Sequence, residues 1–368
     1  MNARVKKLGL SMLSLLVFLG IAEGIYRVAT APDPNAADGG DDGWRERYTR
    51  MNETIYQPSS DPRRVYEPVP SSSVPMEYGE AGFNAQSMRE ASDVAIESGD
   101  DVRIAVVGDS LVWTEFVAVN EALPQQIDAA LGDGYEALNF GVTGYDTSDE
   151  AAWYESHVRN YDADIVVVVF CMNDLMIMSG PFERYADNDA RARKDAQEAL
   201  LERVAPVRRE TIDTVVHHNE KYAWFKLWAR FEGILIRRDF DAHYDDEYLV
   251  MHRQQDARAR FETAIAQLGR DIQADGATPV FVVSPVLESF DDYHWDAIHA
   301  YVSEHAQAAG FAVYDPLPHW QGELSPEQLR ISGDNLHYGS EGARIFGENI
   351  ATFVRELPQG GSGNEAQP

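Results

Sequence analysis

A serine hydroxyl attacks a carbonyl carbon only when a base takes its proton, so a reactive serine implies a histidine and a carboxylate elsewhere in the chain. Gly108-Asp109-Ser110-Leu111 follows the apolar run Ile104 to Val107 and opens a helix-like stretch, which predicts Ser110 at the carboxyl end of a buried strand. Far along the chain, Asp334 and His337 stand three residues apart in "SGDNLHYGSEGA". In a turn, that spacing lets the carboxylate reach the imidazole of its own loop, fix its tautomer and stabilise the imidazolium. Attack on an ester also creates an oxyanion, which needs fixed donors worth roughly 3 to 4 kcal/mol each. Three donors are available: the Ser110 N–H at a helix start, the Gly144 N–H in "NFGVTGYDT", and the Asn173 amide in "CMNDL". Gly141 competes with Gly144 for that role. The chemistry expected is attack by Ser110, proton shuttling by His337 and orientation by Asp334. Activity should then fall as His337 is protonated, near ~6.5 or somewhat shifted.

These residues need a scaffold that brings distant segments together, and the middle of the chain alternates in the way that provides one. Strand-like runs are Arg103 to Gly108, Tyr135 to Gly141, Asp164 to Phe170, Pro279 to Ser284 and Phe311 to Asp315. The run "IVVVVF" is apolar on both faces, as a central parallel strand requires. Helical patterns lie between or after them: Leu123 to Leu131, Thr147 to Asn160, Met251 to Ala274, Trp295 to Ala309 and Gly339 to Leu357. Strand-helix alternation predicts a parallel sheet covered on both faces, with ligands beyond the carboxyl ends of its strands. Each candidate residue follows such an end.

Ser110, Gly144, Asn173 and His337 resemble, in order and position, the four marker residues of the SGNH hydrolases, also called GDSL esterases or lipases. The first block is matched literally as "GDSL", the last as Asp334-Asn-Leu-His337, and the layout is similar to a membrane-anchored bacterial subgroup. The resemblance spans roughly Val102 to Val354 and implies an α/β three-layer α/β/α sandwich, a five-stranded mainly parallel flavodoxin-like sheet, and metal-free, cofactor-free hydrolysis of acyl esters. The third block departs from the usual Gly-x-Asn-Asp, because Cys171 stands where the glycine would. Cys171 is the single cysteine, a rival nucleophile in principle, but a small buried hydrophobe is the expected reading. Asp109 and Asp174 are expected to hold the loops. Acyl transfer to a sugar, or a non-catalytic envelope scaffold, are the competing functions.

The rest of the chain bounds where this chemistry happens. A formal net charge of -30 over 368 residues repels nucleic acid and anionic lipid head groups, so no nucleic-acid partner is expected. No histidine pair has metal-ligand spacing. Arg4, Lys6 and Lys7 precede the apolar run Leu8 to Ala22, which predicts an N-terminal anchor or signal over residues 1–30 and an extracytoplasmic location, tethered to the inner membrane or secreted after cleavage. Residues 31–43 read as a linker, 44–97 as an extended proline-rich arm, 98–357 as the hydrolase domain and 358–368 as a disordered tail.

A helical insertion, 175–250, interrupts the domain. Its stripe Trp224, Trp228, Phe231 and Leu235 is expected to pack onto the core, or to form a cap over the site. Trp113, Tyr293, Trp295 and Trp320 are candidates for a sugar-stacking rim, which with the location points to acetylated carbohydrate as substrate. Nothing in the chain predicts an oligomeric state.

Overall fold

The computed structural model describes residues 18–27, 41–177, 188–204, 225–243, 247–331 and 334–357. In chain order, the first elements are α1 (residues 18–27), α2 (Asp41–Ile55), β1 (Tyr56–Pro58), β2 (Tyr66–Pro68), β3 (Ser72–Met76) and β4 (Gly79–Phe83). There follow β5 (Val102–Gly108), α3 (Ser110–Trp113), α4 (Leu123–Leu131), β6 (Tyr135–Asn139), α5 (Thr147–Ser156) and β7 (Ile165–Phe170). The inserted part carries α6 (Asn188–Val204), α7 (Lys226–His243) and α8 (Glu247–His252). The chain then runs through α9 (Gln255–Ala274), β8 (Thr278–Val283), α10 (Asp296–Ala308), β9 (Ala312–Tyr314), α11 (Leu317–Trp320), α12 (Pro326–Leu329) and α13 (Ser340–Glu356). Two compact units result, one from residues 46–198 and 251–368, the other from 1–45 and 199–250.

The larger unit is built on a five-stranded sheet in the order β6-β5-β7-β8-β9, parallel at every pairing. Every residue of β7 is buried, because helices cover both of its faces. Helices α4 and α13 pack against each other, and α5 and α10 both pack against α9. With right-handed crossovers this puts α4 and α13 on one face and the other three opposite, a three-layer α/β/α sandwich. The chain leaves β5 toward β6 and then crosses back to β7. The winding therefore reverses at β5, and Ser110 stands beyond the carboxyl end of that strand, the switch point where such sheets bind ligands.

The segment expected to be an extended arm is ordered otherwise. It forms α2 and two antiparallel two-stranded ribbons, β1-β2 and β3-β4. Pro58, Pro68 and Pro75 sit in these ribbons, where a strand with one partner tolerates a missing N–H. Met51 and Ile55 of α2 are fully buried, and Tyr56 and Tyr66 meet edge to face with ring centroids 5.4 Å apart. The arm is part of the core of its unit.

In the smaller unit, Glu23 caps α7: its carboxylate accepts the N–H groups of Lys226 at 2.8 Å and Leu227 at 2.7 Å and pairs with Arg27 at 2.6 Å. The stripe expected to pack onto the core or to cap the site is largely exposed. Trp228 is 59% exposed, Phe231 49% and Leu235 47%, while Trp224 lies outside the described residues. Among the described residues no helix is long and apolar enough to cross a membrane. Most of the run Leu8 to Ala22 lies outside them, as do most of the expected linker and the tail from Pro358.

Candidate active site

Strand β5 ends at Gly108, and Asp109 caps the short α3 by accepting the Leu111 N–H at 2.8 Å. This turn presents the Ser110 hydroxyl at the rim of the sheet, where the side chain is only 5% exposed. His337 lies just before α13, and its Nε2 stands 2.8 Å from Ser110 Oγ. Its Nδ1 is 2.8 Å from Asp334 Oδ2, while Asp334 Oδ1 accepts the N–H groups of Leu336 at 2.7 Å and His337 at 2.9 Å. The spacing of three closes a tight turn in which one carboxylate oxygen folds the loop and the other holds the ring.

Asn173 follows β7 on a single 3-10 turn, Met172–Leu175. Its Nδ2 donates to Asp109 Oδ2 at 2.9 Å, so the carboxylate that caps α3 also aims the amide. An amide nitrogen carries two hydrogens, and the second is left for a substrate oxygen. Gly144 is half-buried at φ +78, a conformation that suits glycine. Its loop is braced by the arm, since Tyr66 Oη donates to the Thr143 carbonyl at 2.6 Å and Tyr56 Oη accepts the Thr143 N–H at 3.2 Å. Gly141 is excluded as the competing donor. Its N–H is taken by Asn139 Oδ1 at 3.0 Å, and a Cβ there would lie 2.2 Å from the Trp113 nitrogen, so this glycine serves close packing.

Electrostatics at the site depart from reference values. Burial pushes the His337 imidazole down, but the Asp334 hydrogen bond and the charges of Glu115 and Asp334 more than offset it, and its pKa rises to about 9. Asp334 moves the other way: burial raises it, the His337 bonds and charge outweigh that, and it falls to about 2. The titration expected near ~6.5 or somewhat shifted is thereby moved upward, because the carboxylates beside the ring stabilise its protonated form. Burial raises Asp109 as well, and pushes the Cys171 thiol well up. A buried neutral thiol at 1% exposure makes a poor nucleophile, and Cys171 packs as a small apolar residue.

The rim residues are in the wrong place for sugar stacking. Trp113 is fully buried, Trp295 and Trp320 are 1% exposed and Tyr293 is 8% exposed. Trp113 lies under the Arg89 guanidinium at 4.1 Å, Trp320 Nε1 donates to Asn349 at 2.8 Å, and Tyr293 Oη is 2.8 Å from His299 Nε2. Large aromatics beside an active face were needed to fill the layer beneath it. The half-buried aromatics near His337 are others. The Phe116 ring meets the imidazole edge to face at 5.7 Å, and Tyr48 and Tyr78 of the arm pack on Phe116 at 6.3 and 6.2 Å.

Sequence reasoning also missed the loop Thr114 to Val117. Thr114 and Phe116 adopt positive φ angles of 54 and 68, each costing of order 1 to 3 kcal/mol for a residue with a Cβ. The buried Arg89 guanidinium holds this conformation by donating to the carbonyls of Trp113, Thr114 at 2.6 Å and Val117 at 2.6 Å. Between the two strained residues, Glu115 turns inward. The available signal was one acidic residue inside the apolar run Leu111 to Val117.

A hydroxyl, an imidazole and a carboxylate in a hydrogen-bonded row, beside amide donors, are equipped for acyl transfer through a serine ester. No curated protein matches the chain by sequence. Among solved structures it is similar to an aryl esterase from M. smegmatis (14% identity, TM-score 0.40, covering 70% of this chain and 99% of that one). It is also similar to an acetylxylan esterase from Geobacillus stearothermophilus (14% identity, TM-score 0.41, covering 71% and 95%). A third likeness is to an α/β hydrolase from the metagenome of Lake Arreo (12% identity, TM-score 0.41, covering 70% and 95%). The family model for the GDSL-like lipase/acylhydrolase family matches residues 106–345, well over half of the chain and a span that contains all four marker positions. The chain therefore belongs to the GDSL-like lipase/acylhydrolase family and is a serine ester hydrolase.

Proposed function

We propose that this protein hydrolyses short acyl esters, with O-acetyl groups on exported or envelope glycans as the substrate class, through Ser110, His337 and Asp334. The observation that carries the assignment of roles is the unbroken row at 2.8 Å and 2.8 Å from Ser110 Oγ through the imidazole to Asp334. His337 Nε2 takes the Ser110 proton as Oγ bonds to the acyl carbon, and Asp334 holds Nδ1–H and stabilises the imidazolium. The Ser110 N–H, the Gly144 N–H and Asn173 Nδ2 receive the oxyanion. The imidazolium then protonates the departing alkoxide, and a water, deprotonated by the same nitrogen, releases the acid and frees Ser110.

Restriction to short acyl groups is favoured by the narrow access, since Ser110 is 5% and Asn173 6% exposed. An extracytoplasmic, membrane-tethered setting is favoured by the basic residues and apolar run at the N-terminus. The charge distribution suits it as well. Segments 1–45 and 199–250 hold thirteen basic and fifteen acidic residues, a net −2, whereas the remainder holds 18 and 46, a net −28. The nearly neutral part is the one that an anionic lipid surface repels least.

The test is a panel of p-nitrophenyl esters of increasing acyl length, run beside acetylated oligosaccharides with acetate release and sugar products both measured. Preference for acetyl over octanoyl esters, with free acetate from the glycan, is the expected result. Turnover that rises with chain length would contradict the short-acyl reading, and acetyl appearing on an added sugar rather than in solution would make the protein a transferase.

A further inference from the structure

The imidazole of His337 faces a second carboxylate. Glu115 Oε2 lies 3.8 Å from His337 Nε2, the nitrogen that handles the Ser110 proton, while Asp334 occupies Nδ1 on the opposite side of the ring. Glu115 is 3% exposed, and its other oxygen accepts the Tyr48 hydroxyl at 2.9 Å. A carboxylate is not put out of water by accident. The two left-handed residues that flank it and the Arg89 clamp on their carbonyls hold it in this direction. Residue 115 lies outside the hydroxyl-imidazole-Asp334 row.

We propose that Glu115, held by Tyr48, is a second charge partner of His337: a positioning residue on the Nε2 side that holds the imidazolium formed when Ser110 attacks. The inference rests on the proposed roles of Ser110 and His337. Ionised Glu115 and Asp334 bracket the cation from both ring nitrogens. That stabilises the charge developing in the transition state, and it also makes the resting ring harder to deprotonate. The alkaline shift of His337 agrees with such an arrangement, and burial raises Glu115 itself, so the two groups compete for one proton. Among the described residues, the groups that act on the ring come from three places. Asp334 comes from its own loop, Ser110 and Asp109 from the β5-α3 turn, and Glu115 and the uncharged Phe116 ring from the strained loop; Tyr48 of α2 bonds to Glu115 and stacks on Phe116.

The experiment is the pH profile of kcat/KM for p-nitrophenyl acetate with the full chain, comparing wild type, Glu115→Gln and Tyr48→Phe. Gln keeps the size and an acceptor for Tyr48 but removes the charge. The expected result is an acid limb near pH 9 in wild type that moves down by roughly one to three pH units in Glu115→Gln. The alkaline plateau should fall at the same time, so that the two curves cross and the variant is the faster enzyme at pH 7. Tyr48→Phe withdraws the hydrogen bond that favours the carboxylate and should move the limb the same way by less; it also serves if Glu115→Gln does not fold. Superimposable limbs in wild type and the folded variants, whatever the plateau, would overturn the charge-partner role and reduce Glu115 to loop structure. Absence of turnover in wild type at every pH would instead strike the esterase reading on which it rests.

Discussion

Replacing Asp334 by Asn tests the imidazole's tautomer, and the structure says which way the amide must point. Asp334 Oδ1 accepts two backbone N–H groups, at 2.7 and 2.9 Å. Turning an NH2 group onto them would strand both donors, at about 1 to 3 kcal/mol for each. The amide oxygen therefore stays with the backbone, and the amide nitrogen faces His337 Nδ1, where the carboxylate had accepted at 2.8 Å. Two donors cannot share that bond, so the ring must carry its proton on Nε2, pointing at Ser110 Oγ. The base is then occupied before the reaction starts. The expected loss is about 10⁴-fold in kcat, or about 5 kcal/mol of transition-state stabilisation. Asp334→Ala removes the charge and the orienting bond altogether, and a loss of similar size, on the order of 10⁴-fold, is expected. Steady-state hydrolysis of p-nitrophenyl acetate on the alkaline plateau measures both, with thermal melts to show that each variant is folded. A folded Asn variant within tenfold of wild type would refute the reasoning.

Two other substitutions separate chemistry from scaffold. Asn173→Ala removes an oxyanion donor that Asp109 aims at 2.9 Å, and kcat should fall by about 10² to 10³-fold with KM little changed, as initial-rate kinetics will show. Gly141→Ala puts a Cβ 2.2 Å from the Trp113 nitrogen, a backbone atom that cannot give way, so calorimetry should find a melting temperature lower by roughly 3 to 10 °C, from about 1 to 3 kcal/mol of overpacking.

The sheet and the row Ser110–His337–Asp334 were legible because each is written locally. An all-apolar "IVVVVF" can only be a strand covered twice, and a carboxylate three residues before an imidazole closes its own turn. What was not legible depended on which side of a layer a side chain meets. Trp295 and Trp320 belong to the right loops and helices yet point into the core, since the same apolar surface serves to fill a layer or to receive a sugar. Prolines made the arm look extended, although two-stranded ribbons accommodate them. Glu115 was hidden for a related reason: its direction is set by two non-glycine residues at positive φ and by Arg89, 26 positions upstream in the chain, and no local pattern announces either. The outward face of Trp228, Phe231 and Leu235 follows a helical period that reads alike for a core stripe and an exposed one.

The most direct measurement is covalent labelling of the folded protein with a fluorophosphonate, followed by mapping of the modified peptide. The account predicts a single adduct on Ser110, absent in Ser110→Ala, and slowed in His337→Ala by the loss of the base. An adduct on Cys171 or on another serine, or hydrolytic activity that persists in folded Ser110→Ala, would contradict it.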